Sequence, residues 1–399
     1  MNIRSFKSGK DRREALGKEV GVSLANIGSF SLDEAIASSR NCENMIGIAQ
    51  IPMGVAGPLR ITNRKQEHDY YLPLATTEGA LVASINRGCK AITQSGGATV
   101  AVESVGVTRG PVFATSGIIE SLNAKKWIDT HVEELGKVAA KTSLHLGLKK
   151  LRTRVVGKNV YVRFFFDTQD AMGMNMATIA TTSMYRYIEV KTRAKGVSVA
   201  GNFDIDKKPA WLNSISGRGK RVWAEVTIPS KVLKKTLKTT AKKVYDVWLA
   251  KCMIGSAISG SLGFNAQFAN VIAAIFLATG QDMAHVVEGS LGITTCEVLS
   301  TPEVKNSSHL GGESEESLYV SIYLPDIMVG TVGGGTGLAT QKEALSILGV
   351  AGGNEGKNAQ KFAEVIGAAV LAGEISLLAS LEEGTLAQAH QRLARGKSK

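Results

Sequence analysis

The chain has 399 residues, of which 44% are hydrophobic and 21% charged, the balance of an ordinary soluble globular protein. Its four cysteines lie far apart without CxxC or histidine spacing, which excludes a sequence-evident zinc site and a disulfide framework and favours a reducing compartment. The net charge of +12 suits nucleic acid or phosphorylated small molecules as partners, but no nucleic-acid-binding module is recognisable and only 6% of residues are aromatic.

The first third of the chain predicts short helices followed by a strand-turn-helix unit. Residues 1–42 predict amphipathic helices, with Ser31 as the N-cap of LDEAIASS, and the charged first 30 residues argue against a signal peptide. The run YYLPLATTEGALVASIN predicts a strand, a turn at Thr76–Thr77 and a helix.

Residues 110–203 have the order β-α-β-β-α-β, which predicts a split βαβ, ferredoxin-like unit inserted into a larger domain. One long helix is expected over 118–143 and a second over 174–190. The strands are expected at PVFATS, KLRTRVVG, NVYVRFFFDT and GVSVAGNF.

The remainder predicts a helix pair at about 231–252 and 262–280, strands in LYVSIYLPDIMVGTVGG, and closing helices at 358–380 and 383–394. Of the two most apolar runs, FANVIAAIFLATG is too short to span a bilayer, and VIGAAVLAGEISLLASL contains Glu374 near its middle. We therefore expect a soluble, cytoplasmic protein without a membrane anchor.

Two glycine-containing stretches are candidate phosphate-binding segments. GTVGGGTGLAT has five glycines between 330 and 337, yet it fits neither the dinucleotide fingerprint nor the P-loop. DAMGMN, at 170–175, follows a strand and opens a helix, so its backbone N–H groups could bind a pyrophosphate. The alternative is a capped helix start, with Asp170 as the cap and Gly173 for close packing.

Several polar residues are candidates for chemistry, although each alone has an ordinary explanation. Glu78 begins a helix, where a carboxylate suits the helix dipole. Asp282 follows an apolar helix, either as a cap or as an acid held near a dry site. Lys207 and Lys208 lie on a loop fixed by Pro209, and His390 is near the tail.

Taken together, these motifs resemble the catalytic portion of 3-hydroxy-3-methylglutaryl-coenzyme A (HMG-CoA) reductases. They occur in family order and cover roughly 43–395, and DAMGMNM with DKKPA resembles the first of the two family classes. The matching stretches are ENMIG, LATTEGALVASINRGCKAI, TRGP, DAMGMNM, GNFDIDKKPAWLNSISGRGK, GFNAQFANVIAAIFLATGQD, GTVGGGTGLATQKEALSILGV and LAGEISLLASLEEGTLAQAH.

The resemblance implies an α+β fold, with a large mixed domain, an inserted ferredoxin-like cofactor-binding domain and a short helical N-terminal segment. It implies reduction of HMG-CoA to mevalonate and coenzyme A with two NADPH. The expected divisions are a helical segment at 1–42, a large domain at 43–110 and 199–380 with a catalytic loop at 199–210, a small NADPH-binding domain at 111–198, and a mobile flap at 381–399.

The resemblance also implies a role for each candidate residue. Lys207 would stabilise the oxyanion at each hydride transfer, and Glu78 would protonate mevaldehyde. Asp282 would hydrogen-bond between these two, and His390 would protonate the departing thiolate. The expected substrate-binding residues are Ser84, Asn86, Arg87, Arg109, Lys208, Lys251 and Asn270. The expected cofactor-binding residues are Asp170, Met172, Gly173, Met174, Asn175, Gly333, Gly334, Gly335 and Thr336.

The resemblance further implies a homodimer or a tetramer of dimers, with the active site between subunits and Glu43–Gly47 at the contact. No nucleic acid, membrane or metal is expected. An arginine that family members often carry after TS is Leu144 here, so NADH is not excluded as cofactor. His145, Lys149 or Arg152 could substitute for that arginine.

Two other functions compete with this prediction. The nearer one is a member of the same family that works mainly in the oxidative direction, on mevalonate with NAD, and Leu144 keeps it open. The remote one is a basic nucleic-acid-binding protein, whose DNA retention would fall steeply with salt.

Overall fold

A computed structural model describes residues 7–21, 23–25, 28–63, 66–300 and 316–383 of the chain, and they form a mixed α/β structure. The strands are β1 (Met53–Asn63), β2 (Gln66–Ala75), β3 (Thr99–Arg109), β4 (Val112–Ala114), β5 (Gly147–Val156), β6 (Asn159–Asp167), β7 (Lys195–Ser198), β8 (Arg218–Ile228), β9 (Ile293–Ser300) and β10 (Glu316–Ile327).

Helices cover the sheets and close the chain. They are α1 (Gly9–Val20), α2 (Glu34–Arg40), α3 (Leu81–Gln94), α4 (Ile118–Thr130), α5 (Val132–Ala140), α6 (Met174–Lys191), α7 (Trp211–Ser216), α8 (Ser230–Val232), α9 (Ala241–Trp248), α10 (Ser256–Ser259), α11 (Phe268–Thr279), α12 (Val286–Gly289), α13 (Ala339–Ile347) and α14 (Lys357–Glu383). Wider π turns at Leu233–Leu237 and Leu249–Gly255, and 3₁₀ turns at Met283–His285 and Gly334–Gly337, interrupt the series.

One sheet runs through both halves of the molecule, in the strand order β7-β4-β6-β3-β8-β10-β9, with β5 also paired to β6. Strand β3 joins the halves, because its residues 99–106 pair with β8 while Val107–Arg109 pair with β6. A separate antiparallel hairpin of β1 and β2 packs beside α3.

Each half has its own apolar core. Strand β8 alternates buried and exposed residues, as expected of a strand with one face on the core, whereas β6 is buried along most of its length, including Phe164, Phe165 and Phe166. The β6 core also takes residues from α4, α5 and α6, and the larger core surrounds α11 and α14.

Helix α14 forms the centre of the larger core. It is long and apolar enough to cross a membrane by length and composition, but 89% of its apolar window is buried inside the protein. Helix α3 crosses it at very close range, since a Cβ on Gly88 would lie 1.9 Å from the carbonyl oxygen of Ala372. The fully buried Glu374 accepts hydrogen bonds from the N–H groups of Ala266 and Gln267 at the start of α11.

Within the described ranges most predicted elements are present where the sequence placed them, but three predictions are wrong, and the helix expected at 383–394 lies outside those ranges except for its first residue. Asp33, not Ser31, caps α2, because its carboxylate accepts a hydrogen bond from Ile36 N at 3.0 Å. The helix expected over 118–143 is two helices that meet at His131, whose φ of −115° and ψ of 34° are not helical. The helix expected over 231–252 is broken at Lys238, which has a φ of 61°.

Candidate active site

The loop 199–210 is held in an unusual backbone conformation. Three of its non-glycine residues, Asn202, Ile205 and Lys207, have φ values of 60°, 52° and 57°. Such left-handed conformations are sparsely populated by residues with a Cβ and persist only where surrounding contacts enforce them. Here Asn213 donates to the Ile205 carbonyl at 3.1 Å, and the Lys207 backbone N–H donates to Glu288 Oε1 at 2.5 Å.

This conformation places the Lys207 ammonium against the Asp282 carboxylate, with Nζ 2.7 Å from Oδ2. The pair is open to solvent, because the two side chains are 41% and 32% exposed. Burial opposes ionisation of Asp282. Hydrogen bonds from Lys207 and the Ala284 N–H, together with the electrostatic effect of His285, nevertheless lower the pKa of its carboxyl group overall. Asp282 is therefore an ionised partner for Lys207 at neutral pH.

A buried guanidinium lies beneath this pair. Arg218 is fully buried and donates from Nη1 to Glu288 Oε1 and from Nη2 to Asp206 Oδ1, both at 2.8 Å, and from Nε to Thr108 Oγ1 at 2.8 Å. The guanidinium thus ties together two acidic groups, of which Glu288 also holds the Lys207 backbone. Removing one member of such a buried network costs about 3–5 kcal/mol, because its charged partner is left uncompensated.

His285 completes the network from below. It is buried, its Nδ1 lies 3.2 Å from Glu288 Oε1, and its Nε2 lies 3.8 Å from Asp282 Oδ2 and 4.0 Å from Asp206 Oδ1. Asp206, His285 and Glu288 lie close enough together to hold a metal ion. Two nitrogens of Arg218 already contact the two carboxylates of this group, so a guanidinium lies beside them and offsets one of their two negative charges.

The residues expected to hold the substrate acid lie in two groups, one at the acidic residues of the loop 199–210 and one along a cleft that Pro209 also lines. Arg109 Nη1 lies 3.3 Å from Asp204 Oδ2 and 3.5 Å from Asp206 Oδ2, and Lys208 Nζ donates to the Asp206 carbonyl at 3.2 Å. Lys251 and Asn270 line an open cleft of about 1090 Å³ whose wall includes Pro209 of the same loop. Lys251 reaches it from the π turn Leu249–Gly255, a local widening of a helix that is frequent at functional sites.

Glu78 lies on the surface of the single chain. It precedes α3, its side chain is exposed, and its backbone N–H donates to Thr76 Oγ1 at 3.0 Å. Among the described residues, no ion pair or hydrogen bond joins its carboxylate to Lys207 or Asp282. The chain therefore brings two of the expected catalytic groups together and leaves the third at its surface.

The residues expected along coenzyme A lie on α3, where it meets the end of α14. Ser84 Oγ is 3.0 Å from Ser376 Oγ, and the Arg87 guanidinium donates to Ser376 Oγ at 3.1 Å and also to Ser380 Oγ. Asn86 instead supports the β1 bulge, since its Oδ1 accepts a hydrogen bond from Gly57 N at 2.9 Å.

The two candidate cofactor-binding stretches are in direct backbone contact. Ala171 and Val332 form a parallel bridge, and Thr331 N donates to the Asp170 carbonyl at 2.8 Å. A Cβ on Gly330 would lie 2.3 Å from Met172 N, so this approach requires glycine. Beyond it, Gly333 and Gly334 have φ values of 78° and 54° and face open space. Glycine is therefore needed for the close contact at Gly330, and at Gly333 and Gly334 it leaves the backbone accessible.

Asp170 caps a different helix from the one that the sequence suggested. Its carboxylate accepts hydrogen bonds from the backbone N–H groups of Asn354, Gly356 and Ala359, at the start of α14, at 2.5, 2.8 and 2.9 Å. Burial alone would raise its pKa, but these three donors lower it. Asp170 thus caps α14, while α6 begins at Met174 after the N-cap residue Gly173 (φ 89°) and has no side-chain cap.

The other expected cofactor residues lie around this junction. Met174 is buried and its Sδ accepts a hydrogen bond from Arg218 at 3.2 Å, and Asn175 is exposed on the first turn of α6. Gly335 packs against Gly280, where a Cβ would lie 2.5 Å from the Gly280 carbonyl oxygen, and Thr336 Oγ1 donates to the Gly333 carbonyl at 2.6 Å.

Sequence reasoning gave no role to Arg218, His285 and Glu288, which form the base of the site. One signal was present in QDMAHVVEG, where Asp282, His285 and Glu288 recur every third residue and so share one face of a helical turn. His390 lies outside the described residues, as does most of the stretch expected to be a flap.

Comparison with known proteins gives one consistent answer. The sequence model of the hydroxymethylglutaryl-coenzyme A reductase family matches residues 8–395. The chain is 49% identical to the 3-hydroxy-3-methylglutaryl-coenzyme A reductase of Methanocaldococcus jannaschii, over 96% of this chain and 92% of that protein. It is 48% identical to the corresponding protein of Methanothermobacter thermautotrophicus, over 96% and 93%, and 39% identical to reductase 1 of Dictyostelium discoideum, over 97% and 68%.

Among solved structures, the chain resembles the class II 3-hydroxy-3-methylglutaryl-CoA reductase of Streptococcus pneumoniae bound to NADPH in open conformations. The TM-score is 0.65 at 20% sequence identity, and the match covers 95% of this chain and 99% of that one. This likeness extends over the whole mixed α/β fold.

Proposed function

The chain belongs to the hydroxymethylglutaryl-coenzyme A reductase family, and from that premise we propose that it reduces HMG-CoA to mevalonate and coenzyme A with two NADPH. The observation that carries the proposal is the Lys207–Asp282 pair, which is held by a strained loop whose Pro209 lines an open cleft. This places the chain in the synthesis of isoprenoid precursors.

Lys207 supplies the positive charge that the reaction needs. When a thioester or aldehyde carbonyl takes hydride, its oxygen becomes an oxyanion, and a preorganised ammonium group stabilises that charge by about 3–4 kcal/mol. Asp282 orients the ammonium through the 2.7 Å contact between Lys207 Nζ and Asp282 Oδ2. Arg109, Lys208, Lys251 and Asn270 hold the hydroxymethylglutaryl group in this proposal, and the cleft that Lys251 and Asn270 share with Pro209 supports it.

The residues at the glycine junction fit a nicotinamide dinucleotide. Gly333 and Gly334 expose backbone to open space, and the start of α6 has N–H groups without a side-chain cap, so both can accept an anion. Met172, Gly173, Met174, Asn175, Gly335 and Thr336 complete this cofactor site, and Asp170 supports it from behind. NADPH would supply the hydride when bound, and these residues would hold it.

The finer structural assignments also belong to the proposal. The order β4-α4-α5-β5-β6-α6-β7, with β7, β4, β6 and β5 side by side, supports a ferredoxin-like cofactor domain at about 111–198 between the two parts of a larger domain. DAMGMNM and DKKPA support the first class of the family, and the buried position of α14 supports a cytoplasmic protein.

We place Glu78 in the active site of a second subunit, with Glu43–Gly47 near the contact. The support is that Glu78 is exposed and that, among the described residues of its own chain, no ion pair joins it to Lys207. This arrangement can be tested by mixing subunits. Glu78→Gln and Lys207→Ala should each be inactive alone, but mixed oligomers should recover activity, because one of their two sites keeps both residues. No recovery in a mixed species would show that each subunit has a self-sufficient site.

His390 is proposed to protonate the thiolate of departing coenzyme A, on a C-terminal flap that closes over bound substrate. Its assay compares two substrates. His390→Gln should impair reduction of HMG-CoA and largely spare reduction of free mevaldehyde, which has no thiolate to protonate. Equal loss on both substrates would remove this role.

The deciding experiment for the whole proposal is steady-state turnover of HMG-CoA with NADPH and NADH, side by side, together with oxidation of mevalonate with NAD and coenzyme A. Reductive turnover with NADPH is the expected result. The oxidative alternative is favoured by one observation, the uncharged and 95% exposed Leu144, and faster oxidation with NAD would establish it.

A further inference from the structure

A histidine that the proposed reaction does not use lies directly beneath its catalytic pair. His285 is 1% exposed, and its Nε2 has no hydrogen-bond partner within the described structure. Buried polar atoms are nearly always satisfied, so an unpartnered ring nitrogen at the base of an active site calls for a functional explanation.

The surroundings of the ring are acidic on both sides. Nδ1 is 3.2 Å from Glu288 Oε1, and since a carboxylate only accepts hydrogen bonds, Nδ1 must carry the proton of that contact. Nε2 faces Asp282 Oδ2 at 3.8 Å and Asp206 Oδ1 at 4.0 Å. A lone pair on Nε2 would point at two carboxylates, whereas an N–H would be attracted by both.

We propose that His285 is a positioning residue of the reductase site, protonated at both ring nitrogens, that holds Asp282 against Lys207 from Nε2 and grips Glu288 from Nδ1. The inference rests on the proposed function and names a residue that acts through the catalytic pair. Glu288 also binds the Lys207 backbone N–H. The imidazole is therefore linked through Glu288 to the backbone of Lys207 and through Asp282 to its ammonium group.

Other charged groups near the ring favour or oppose a proton on Nε2. Arg218 lies across Glu288 and Asp206 and opposes a second positive charge near them. The fully buried Asp326 contributes little negative charge, because burial raises the pKa of its carboxyl group to about 8. Lys207 pairs with Asp282 from the opposite side.

The distance between His285 and Asp282 leaves room for their contact to tighten. The Nε2–Oδ2 distance of 3.8 Å is longer than a hydrogen bond, so a shift of Asp282 by roughly 1 Å would complete the contact. Such a shift would carry the Lys207 ammonium with it, because the two groups are joined at 2.7 Å. Misplacement of a catalytic group by about 1 Å costs roughly a hundredfold in rate.

The test compares two substitutions at His285 with a matched control. His285→Phe removes both donors and should lower kcat on HMG-CoA about a hundredfold with little change in KM. His285→Gln keeps one donor and should recover a substantial part of kcat. His131→Gln, in the other core, where the ring stacks on Trp127, should leave turnover unchanged.

The pH profile separates positioning from a purely structural role. Because the electrostatic effect of His285 helps to lower the pKa of Asp282, replacing His285 should move the acidic limb of kcat to higher pH. Loss of thermal stability with an unshifted profile would overturn the proposal, as would full activity in a folded His285→Phe.

A readout independent of activity uses the wild-type chain with ¹⁵N-labelled histidine. The His285 signal, assigned by its absence from the His285→Gln spectrum, should show two protonated ring nitrogens at neutral pH, and a neutral ring would overturn the inference. If the wild type fails to reduce HMG-CoA, the proposed function fails, while this spectrum still decides the state of His285.

Discussion

The two halves of the proposed active site are built by different means. The catalytic half depends on side-chain charges, in which Arg218, Glu288 and Asp282 fix the position of Lys207. The cofactor half depends on backbone proximity, where the absence of a Cβ at Gly330 lets two segments touch. Charge defines the first region and shape defines the second.

This difference determines how each region should fail. A charge network fails when one partner is removed, even if the shape is kept, since a buried charge is left alone. A glycine junction fails when an atom is added, even if no charge changes, because the backbone cannot move aside. Substitutions of the two kinds therefore separate chemistry from architecture.

The largest expected effect is on the charged side, at Lys207. Lys207→Ala should lower kcat at least about a thousandfold, because no other group in this proposal replaces the cation beside the oxyanion. HMG-CoA binding, measured by calorimetry, should change only a few-fold. Lys242→Ala, at an exposed lysine paired with Asp246, is the matched control and should behave as wild type. More than a tenth of wild-type turnover in Lys207→Ala would contradict the assignment.

The matching test of the shape-defined region is Gly330→Ala. The new methyl group would lie 2.3 Å from Met172 N, so we expect about 1–3 kcal/mol of destabilisation and a raised KM for NADPH. Gly337→Ala lies on the same loop, has nothing within 4 Å of its Cβ and should be nearly neutral. Urea unfolding and cofactor titration measure both variants, and equal behaviour of the two would show that the close approach is unimportant.

A smaller effect, on stability, is expected at Asp170. This residue combines the two kinds of interaction, because its charged side chain accepts hydrogen bonds from backbone N–H groups. Asp170→Asn should cost about 1–2 kcal/mol at pH 7, the scale of a lost helix cap. Because folding lowers the pKa of this carboxyl group, its stabilisation is present above the unfolded value of 3.8 and is lost as the pH falls through the folded value. Urea unfolding at pH 7 and pH 3 should show the gap between variant and wild type narrowing in acid. A gap independent of pH would mean that the carboxylate charge is not involved.

Local patterns predicted much of the fold but little of the catalytic base. The β2-turn-α3 unit and the β5–β6 hairpin follow from alternation and turn residues that neighbours in sequence supply. The contacts of Arg218 with Thr108 and Glu288 span 110 and 70 residues, and no local pattern specifies them. Likewise, the resemblance assigned DAMGMN and GTVGGGT to one cofactor site, but only the folded chain shows that the two stretches touch through Gly330.

The smallest expected effect concerns cofactor choice at Leu144, whose side chain is 95% exposed. Of the nearby residues that could bind a 2′-phosphate, Lys149 donates to the Ser104 carbonyl at 2.5 Å and Arg152 to Ser216 Oγ at 2.8 Å, so both are engaged elsewhere. His145 Nδ1 lies 3.1 Å from Gln169 Oε1, beside the DAMGMN segment.

Leu144→Arg should therefore raise the ratio of kcat/KM for NADPH to that for NADH by about five- to tenfold, since a guanidinium adds a charge-assisted contact to a phosphate. Leu144→Gln, which changes polarity without adding charge, should leave the ratio unchanged and serves as the control. Added salt should reduce the gain, because an exposed ion pair is screened over about 8 Å at physiological ionic strength. An unchanged ratio in Leu144→Arg would place the 2′-phosphate away from residue 144, and cofactor choice would then depend on His145 or on the glycine junction itself.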